Sequence, residues 1–165
     1  MAEIENPFRW SKSRAAVFAD CKRKYYLRYY AHWGGWDESA PERARLAYRL
    51  GKMTTLPALV GTAVHAALAR HFQALRNGQF RKLDPERPVE MMRAAWRDAK
   101  QELWKVGPKA HPPLFEIYYD RVPPPEELRG FAEKARQSIR AIQESTRYRS
   151  LLALDPENYL WIDPA

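Results

Sequence analysis

Cysteine is almost absent from this chain of 165 residues, which contains a single one, Cys21. A disulfide within the chain and a metal site built from cysteines alone are therefore excluded, since both need more than one thiol. The sequence also lacks any apolar run close to the roughly 20 residues that cross a membrane, and its first residues lack the basic and then apolar segments of a secretion signal. We expect a cytoplasmic protein without membrane contact.

Acidic residues are outnumbered by basic ones. The chain has 28 Lys and Arg against 20 Asp and Glu, which gives a formal net charge of +8. An excess of this size favours an anionic partner, most often nucleic acid, although an ordinary solvated surface would also account for it. Hydrophobic residues make up 45% of the chain and aromatic residues 13%, which is enough for a packed core and argues against wholesale disorder.

Hydrophobic spacing predicts a mainly α fold. The predicted helices span residues 11–33, 41–52, 56–77, 89–106 and 125–152, and two short strands are predicted at 114–119 and 159–162. Two isolated strands do not make a stable sheet. We therefore interpret the second strand as the first of a sheet that lies beyond residue 165.

Three regions follow from this pattern. Residues 1–107 are predicted to be a helical amino-terminal region, and residues 108–125 form a loop that holds six of the 13 prolines. Residues 126–165 would contain a long helix and the start of a strand that leads to a catalytic core outside this sequence.

The first predicted helix combines aromatic and basic residues. Five side chains form an apolar arc on the helical wheel: Val17, Phe18, Cys21, Tyr25 and Tyr29. The basic residues flank this arc: Lys22, Arg23, Lys24 and Arg28. The flanks could follow a phosphate backbone, or they could be the solvated face of an ordinary amphipathic helix.

Two further features of this helix concern its start. Ser11 or Ser13 can cap it, because a serine hydroxyl accepts from the free N–H groups of the first turn. Arg14 falls within the apolar arc and needs a carboxylate, a carbonyl or a phosphate there. We expect a buried structural ion pair.

Gly61 and His65 lie inside the third predicted helix. A glycine in mid-helix costs roughly 1 kcal/mol relative to alanine, and it leaves open space beside the imidazole one turn later. Such a glycine suggests that another backbone, or a metal with its waters, approaches closely. The alternative is that His65 is a structural histidine. His71, near the middle of the apolar stripe, is expected in the core.

Three features together resemble the RecB-like branch of the PD-(D/E)XK nucleases. The first is the run Ser13-Arg14, Phe18 and Cys21 to Tyr30; the second is Gly61-x-x-x-His65; the third is the order and spacing of these two helices. The motifs cover about residues 8–78. Cys21 matches the first iron–sulfur ligand of the CRISPR-associated RecB-like exonucleases, but a cluster needs four thiolates. We expect no iron–sulfur cluster here and a buried Cys21 thiol.

The resemblance implies a metal-dependent DNA nuclease that hydrolyses phosphodiester bonds in repair, recombination or defence. His65 would be a ligand, or near-ligand, of Mg²⁺ or Mn²⁺, with Gly61, Ser11 and Ser13 in supporting positions. The proposed nucleic-acid contacts are Arg14, Lys22, Arg23, Lys24 and Arg28. In the family, a central α/β sheet of the restriction-endonuclease type supplies an Asp, an Asp or Glu, and a Lys.

This sequence departs from the family pattern at that sheet. A carboxylate stands two residues before a lysine at Asp20 and at Asp98, but both positions fall inside predicted helices, so we reject them as the catalytic set. We expect an inactive fragment that stops where the sheet begins, or a degenerate relative.

Two alternatives are a non-catalytic basic module that binds DNA or RNA, and a partner-binding scaffold. The scaffold hypothesis rests on the many tryptophans: Trp33, Trp36, Trp96, Trp104 and Trp161.

Overall fold

The computed structural model describes residues 6–106 and 112–159. These residues form eight α-helices: α1 (Lys12–Asp20), α2 (Lys22–Tyr26), α3 (Glu42–Gly51), α4 (Leu56–Arg76), α5 (Glu86–Lys100), α6 (Phe115–Tyr118), α7 (Pro125–Glu144) and α8 (Thr146–Leu152). The mainly α prediction is confirmed, but the predicted count of five helices is wrong. Among the described residues, no helix combines the length and the hydropathy of a bilayer-spanning segment.

The chain divides into two compact units. Unit 1 comprises Met1–Met53 and Asp98–Pro113, and unit 2 comprises Thr54–Arg97 and Leu114–Ala165. The three regions expected from the sequence, 1–107, 108–125 and 126–165, concern a larger protein and stay a prediction.

In unit 1 the first predicted helix is broken at Cys21. Ser11 caps α1 as predicted, since its Oγ accepts from the Arg14 N–H at 3.2 Å. Cys21 has an extended backbone, and its Sγ accepts from the Lys24 N–H at 3.4 Å, as a serine would at the start of α2. A π-helical turn, Leu27–Ala31, follows. The break was not predicted because the residue that caps α2 is a cysteine, which is not among the usual capping residues.

Tyr25 is the centre of an aromatic cluster in unit 1. Its ring is 7% exposed, and four rings lie with centroids 5.1–6.2 Å away: Trp10, Phe18, Tyr29 and Tyr30. Val17 and Tyr29 are half-buried, but Cys21 is exposed and Phe18 is 39% exposed. The predicted burial is therefore confirmed for Tyr25 and wrong for Cys21 and Phe18.

The segment after the π-helical turn lies close against α3. A Cβ at Gly35 would stand 2.6 Å from Tyr48 Cβ and still closer to the Ala44 carbonyl, so only glycine fits there. The bounds of α3 agree with the predicted helix. Its N-cap residue is Pro41, whereas the nearby Ser39 donates to Asp37 through its backbone N–H and its hydroxyl.

In unit 2, α4 has the predicted limits. Thr55 Oγ1 accepts from the Ala58 N–H at 3.4 Å, and Gly78 follows the helix with a φ of 69°. The buried residues Leu83, Ile139 and Tyr148 form a core. Apolar side chains of α4, α7 and α8 pack against it: Val64, Leu68, Phe72, Ile142 and Leu152.

Several predicted elements of unit 2 are corrected. The expected strand at 114–119 is the short helix α6, and Leu114 forms only an isolated bridge with Thr54. The expected helix at 125–152 breaks at Ser145, where the backbone is extended. Of the expected strand at 159–162, only Tyr159 is described, and it closes a 3₁₀ turn; residues 160–162 lie outside the described part. The helix expected at 89–106 is α5, which ends at Lys100, and the 3₁₀ turn at Leu103–Lys105 belongs to unit 1.

Candidate nucleic-acid interface

A groove of about 810 Å³ lies in unit 1 between α2 with the π-helical turn and the carboxyl end of α3. One wall consists of Cys21, Arg23, Lys24, Leu27 and Arg28, followed by His32. The other wall consists of Ala47, Tyr48, Leu50, Gly51 and Lys52. We call this the unit 1 groove. The π-helical turn contributes to it directly, and such wide turns are frequent at functional sites.

Four cationic side chains line the unit 1 groove. Lys24 Nζ forms an ion pair with Asp20 at 2.7 Å, and both side chains are more than half exposed, so this pair neutralises the lysine only weakly. Arg23, Arg28 and Lys52 have no carboxylate partner among the described residues. The groove therefore keeps most of its positive charge available for an anionic ligand.

Two rings add a flat surface to the groove. His32 and Tyr48 are stacked with centroids 6.4 Å apart and planes 23° apart, and the Lys52 ammonium lies 5.3 Å from the Tyr48 ring centre. His32 Nδ1 lies 3.2 Å from the Leu27 carbonyl oxygen, which fixes the orientation of the imidazole. Cations beside aromatic faces are the combination that single-stranded nucleic acid requires of a binding surface.

Three of the five residues predicted to contact nucleic acid line the groove. Arg23, Lys24 and Arg28 line it, whereas Arg14 and Lys22 do not. Arg14 donates to the Arg9 carbonyl at 2.6 Å, and its guanidinium lies 4.5 Å from the centre of the Tyr29 ring. The predicted buried ion pair of Arg14 is therefore wrong. Its partner is a carbonyl, because the half-buried guanidinium has no carboxylate within reach in the described structure.

His32, Tyr48 and Lys52 were missed by sequence reasoning. They are brought to the groove by packing of α3 against the π-helical turn, which no local pattern encodes. The nearest signal was Lys52 itself, a cation at the end of the helix predicted at 41–52, and this position is too common for a cation to indicate a site. Cys21 also lines the groove and is exposed, so the predicted buried thiol is wrong.

His65 and Gly61 lie on the exposed face of α4 in unit 2. A Cβ added at Gly61 would meet nothing within 4 Å. No other backbone of the described structure therefore requires this glycine. The His65 ring makes no hydrogen bond to a described residue, and it is open to solvent rather than built into the core.

His71 behaves as predicted. It is 7% exposed, and its Nε2 lies 3.0 Å from the Tyr148 hydroxyl. Removal from water lowers the pKa of His71 below its ordinary value, because burial disfavours the charged imidazolium. His71 is a core residue.

A comparison with known families adds to this geometry. The family model described as the PD-(D/E)XK nuclease superfamily matches residues 9–151. The chain belongs to this superfamily. Searches of the curated proteins and of the solved structures each found no match. Membership supports a nuclease-like function and a nucleic-acid substrate, and the superfamily generally uses Mg²⁺ or Mn²⁺.

The described residues do not by themselves fit the metal of a PD-(D/E)XK nuclease. Mg²⁺ requires several oxygen ligands, and residues 6–106 and 112–159 contain no group of three His, Cys, Asp or Glu side chains that could hold a cation. Asp20 ends α1 and is paired with Lys24, and Asp98 lies within α5. Neither stands on a strand, where the superfamily's acidic residues would be expected.

Proposed function

We propose that this chain is the nucleic-acid-binding helical part of a RecB-like, metal-dependent DNA nuclease. The observation that carries the proposal is the cationic unit 1 groove in a chain of the PD-(D/E)XK superfamily. The nuclease would hydrolyse phosphodiester bonds in DNA repair, recombination or defence.

The unit 1 groove is suited to a DNA backbone for two reasons. Arg23, Arg28 and Lys52 can each neutralise a phosphate and release a condensed counterion, which is the main source of affinity for nucleic acid. Tyr48 and His32 can stack against a base beside those phosphates. Arg28 and Lys52 stand on opposite walls, so a strand lying between them would contact both.

His65 has a second role in the proposal, as a ligand or near-ligand of Mg²⁺ or Mn²⁺. Its exposure and the clearance at Gly61 support this role. The carboxylates and the lysine of the catalytic set would come from outside the described residues. We therefore expect this chain alone to bind DNA and not to cleave it.

A charge-removal experiment tests DNA binding by the groove. In Arg23→Gln/Arg28→Gln/Lys52→Gln three phosphate contacts are lost, so the Kd for fluorescein-labelled DNA should rise about tenfold or more at moderate salt. Fluorescence anisotropy measures the Kd. The matched control removes three exposed arginines of unit 2: Arg76→Gln/Arg81→Gln/Arg147→Gln. If both triple variants weaken binding equally, the groove has no special role.

A second candidate function is a non-catalytic basic module that binds nucleic acid. The absence of clustered metal ligands among the described residues favours it. The two candidates differ in their response to His65→Ala in a protein that carries the acidic residues and the lysine. The nuclease proposal predicts loss of Mg²⁺- or Mn²⁺-dependent cleavage with an unchanged circular dichroism spectrum. Full cleavage by that variant would refute the role of His65, and binding without any cleavage in either protein would favour the module.

A further inference from the structure

Unit 2 contains a groove of its own, about 370 Å³ in volume, between α5 and α7. Its lining residues are Leu56, Val89, Met92, Arg93, Trp96, Arg97, Leu128, Arg129, Phe131 and Ala132. We call it the unit 2 groove. Its volume lies within the range of about 300–1,000 Å³ that is usual for binding pockets.

The floor of the unit 2 groove is apolar. Val89, Met92 and Trp96 recur on one face of α5, and Leu128 and Phe131 recur on one face of α7, at the spacings that normally bring two helices into contact. Val89 and Met92 are buried, whereas Trp96, Leu128 and Phe131 are half-buried. The apolar faces of α5 and α7 therefore leave a space between them that a third apolar group can enter.

Three arginines stand around this floor. Arg93, Arg97 and Arg129 are exposed, and none forms an ion pair with a carboxylate in the described part of the chain. The carboxylate of Glu86, also on α5, is engaged elsewhere: Arg136 donates two hydrogen bonds to it, at 2.5 and 3.0 Å. The groove thus combines an apolar floor with a cationic rim, on which Arg93 interacts electrostatically with Glu86 without forming an ion pair.

We propose that the unit 2 groove docks an acidic amphipathic segment of a partner protein, with an apolar side chain inserted between α5 and α7. Acidic residues beside that anchor would pair with Arg93, Arg97 and Arg129. In helix-in-groove recognition, apolar side chains of the bound segment likewise fill the groove while its charged residues contact the rim. The aliphatic side chains of Leu56, Val89 and Met92 at the bottom of the groove suit an apolar anchor better than a base. Trp96 and Phe131 offer ring faces that a base could stack on, so a nucleic acid is included in the test. The inference does not depend on the nuclease proposal.

A peptide selection tests the proposal. Phage that display random peptides of about 12 residues are selected on the full chain, and the enriched peptides are synthesised with a fluorescein label. We expect enriched sequences in which a Leu, Phe or Trp is flanked by Asp or Glu. Ala132→Trp, which fills the groove without changing its charge, should weaken their binding about tenfold or more, and so should Arg93→Gln/Arg97→Gln/Arg129→Gln.

Controls separate this result from general attraction to a basic protein. The unit 1 variant Arg23→Gln/Arg28→Gln/Lys52→Gln should leave peptide affinity within about twofold, and Ala132→Trp should leave DNA affinity unchanged. Melting curves establish that each variant folds, and the triple glutamine variant changes only exposed side chains. The proposal is overturned if no peptide is enriched, if the enriched peptides lack acidic residues, or if they bind the Ala132→Trp protein as well as the original. Displacement of the peptide by a labelled oligothymidylate would assign the groove to nucleic acid instead.

Discussion

His71 is a buried imidazole in the apolar interior of unit 2, and its lowered pKa has a consequence for stability. In the unfolded chain a histidine takes up a proton near pH 6.5, whereas folded His71 does so only at lower pH. The unfolded state therefore binds more protons as the pH falls below about 6.5, and the free energy of unfolding decreases there.

We predict that the melting temperature falls as the pH is lowered from about 7.5 to about 5.5, and that His71→Gln makes this dependence shallower. Calorimetry at several pH values measures it. The control is His65→Gln, which removes an exposed histidine from the same helix, α4. An equal slope for His71→Gln and the original protein would contradict the assignment.

Gly61 and Gly130 are helical glycines with open space where a Cβ would stand. Alanine at either position should raise the free energy of unfolding by about 0.5–1 kcal/mol, because alanine loses less backbone entropy in a helix. Denaturant unfolding measures this. If Gly61 provides clearance for a metal beside His65, Gly61→Ala but not Gly130→Ala should lower cleavage by a protein with the full acidic set. A destabilised Gly61→Ala would show that the helix face is not open.

The sequence correctly predicted the position of residues whose placement depends on burial. It failed for residues whose placement depends on local hydrogen bonds. Tyr25 and His71 lie inside, as their places on the apolar faces predict. Cys21 lies on the same calculated face but is exposed, since its thiol caps α2. Arg14 donates to the backbone carbonyl of Arg9, and a helical wheel cannot show where such a carbonyl lies.

At the scale of elements, the ends of a helix depend on capping residues, and the spacing of apolar residues does not reveal these residues. Thr55 caps the start of α4 and Gly78 follows its end, and both residue types are common at these positions. Ser145 was not recognised, although its hydroxyl accepts from the Tyr148 N–H at 3.1 Å and separates α7 from α8. A serine in the middle of a long periodic segment has no distinguishing neighbour, and so the segment was predicted as one helix.

Ser145→Ala should lower the free energy of unfolding by about 1 kcal/mol, because the cap of α8 is lost and the N–H of Tyr148 has no protein acceptor. Chemical denaturation measures the change. Ser138→Ala is the matched control: Ser138 lies within α7 and only donates back to the Lys134 carbonyl, so its loss should be neutral or slightly stabilising. Equal destabilisation by both variants would show that the break at Ser145 does not depend on its cap.

At the scale of the whole molecule, part of the basic excess behind the net charge of +8 lines the two grooves. Arginines and lysines without carboxylate partners in the described structure line the grooves of both units. The sequence predicted the charge and the α2 side of the unit 1 groove. It could not predict the α3 side, because residues distant in the sequence, such as His32 and Tyr48, meet there only after the helices pack.

The salt dependence of DNA binding tests the central claim, that the unit 1 groove holds a phosphate backbone. The logarithm of the association constant is measured against the logarithm of salt concentration with a short labelled single strand. For each phosphate contact removed, the slope should become shallower by roughly 0.7, so Arg23→Gln/Arg28→Gln/Lys52→Gln should reduce it by about 2. The control Arg76→Gln/Arg81→Gln/Arg147→Gln should keep the original slope. A flat dependence for the original protein, or an unchanged slope for the groove variant, would contradict the account.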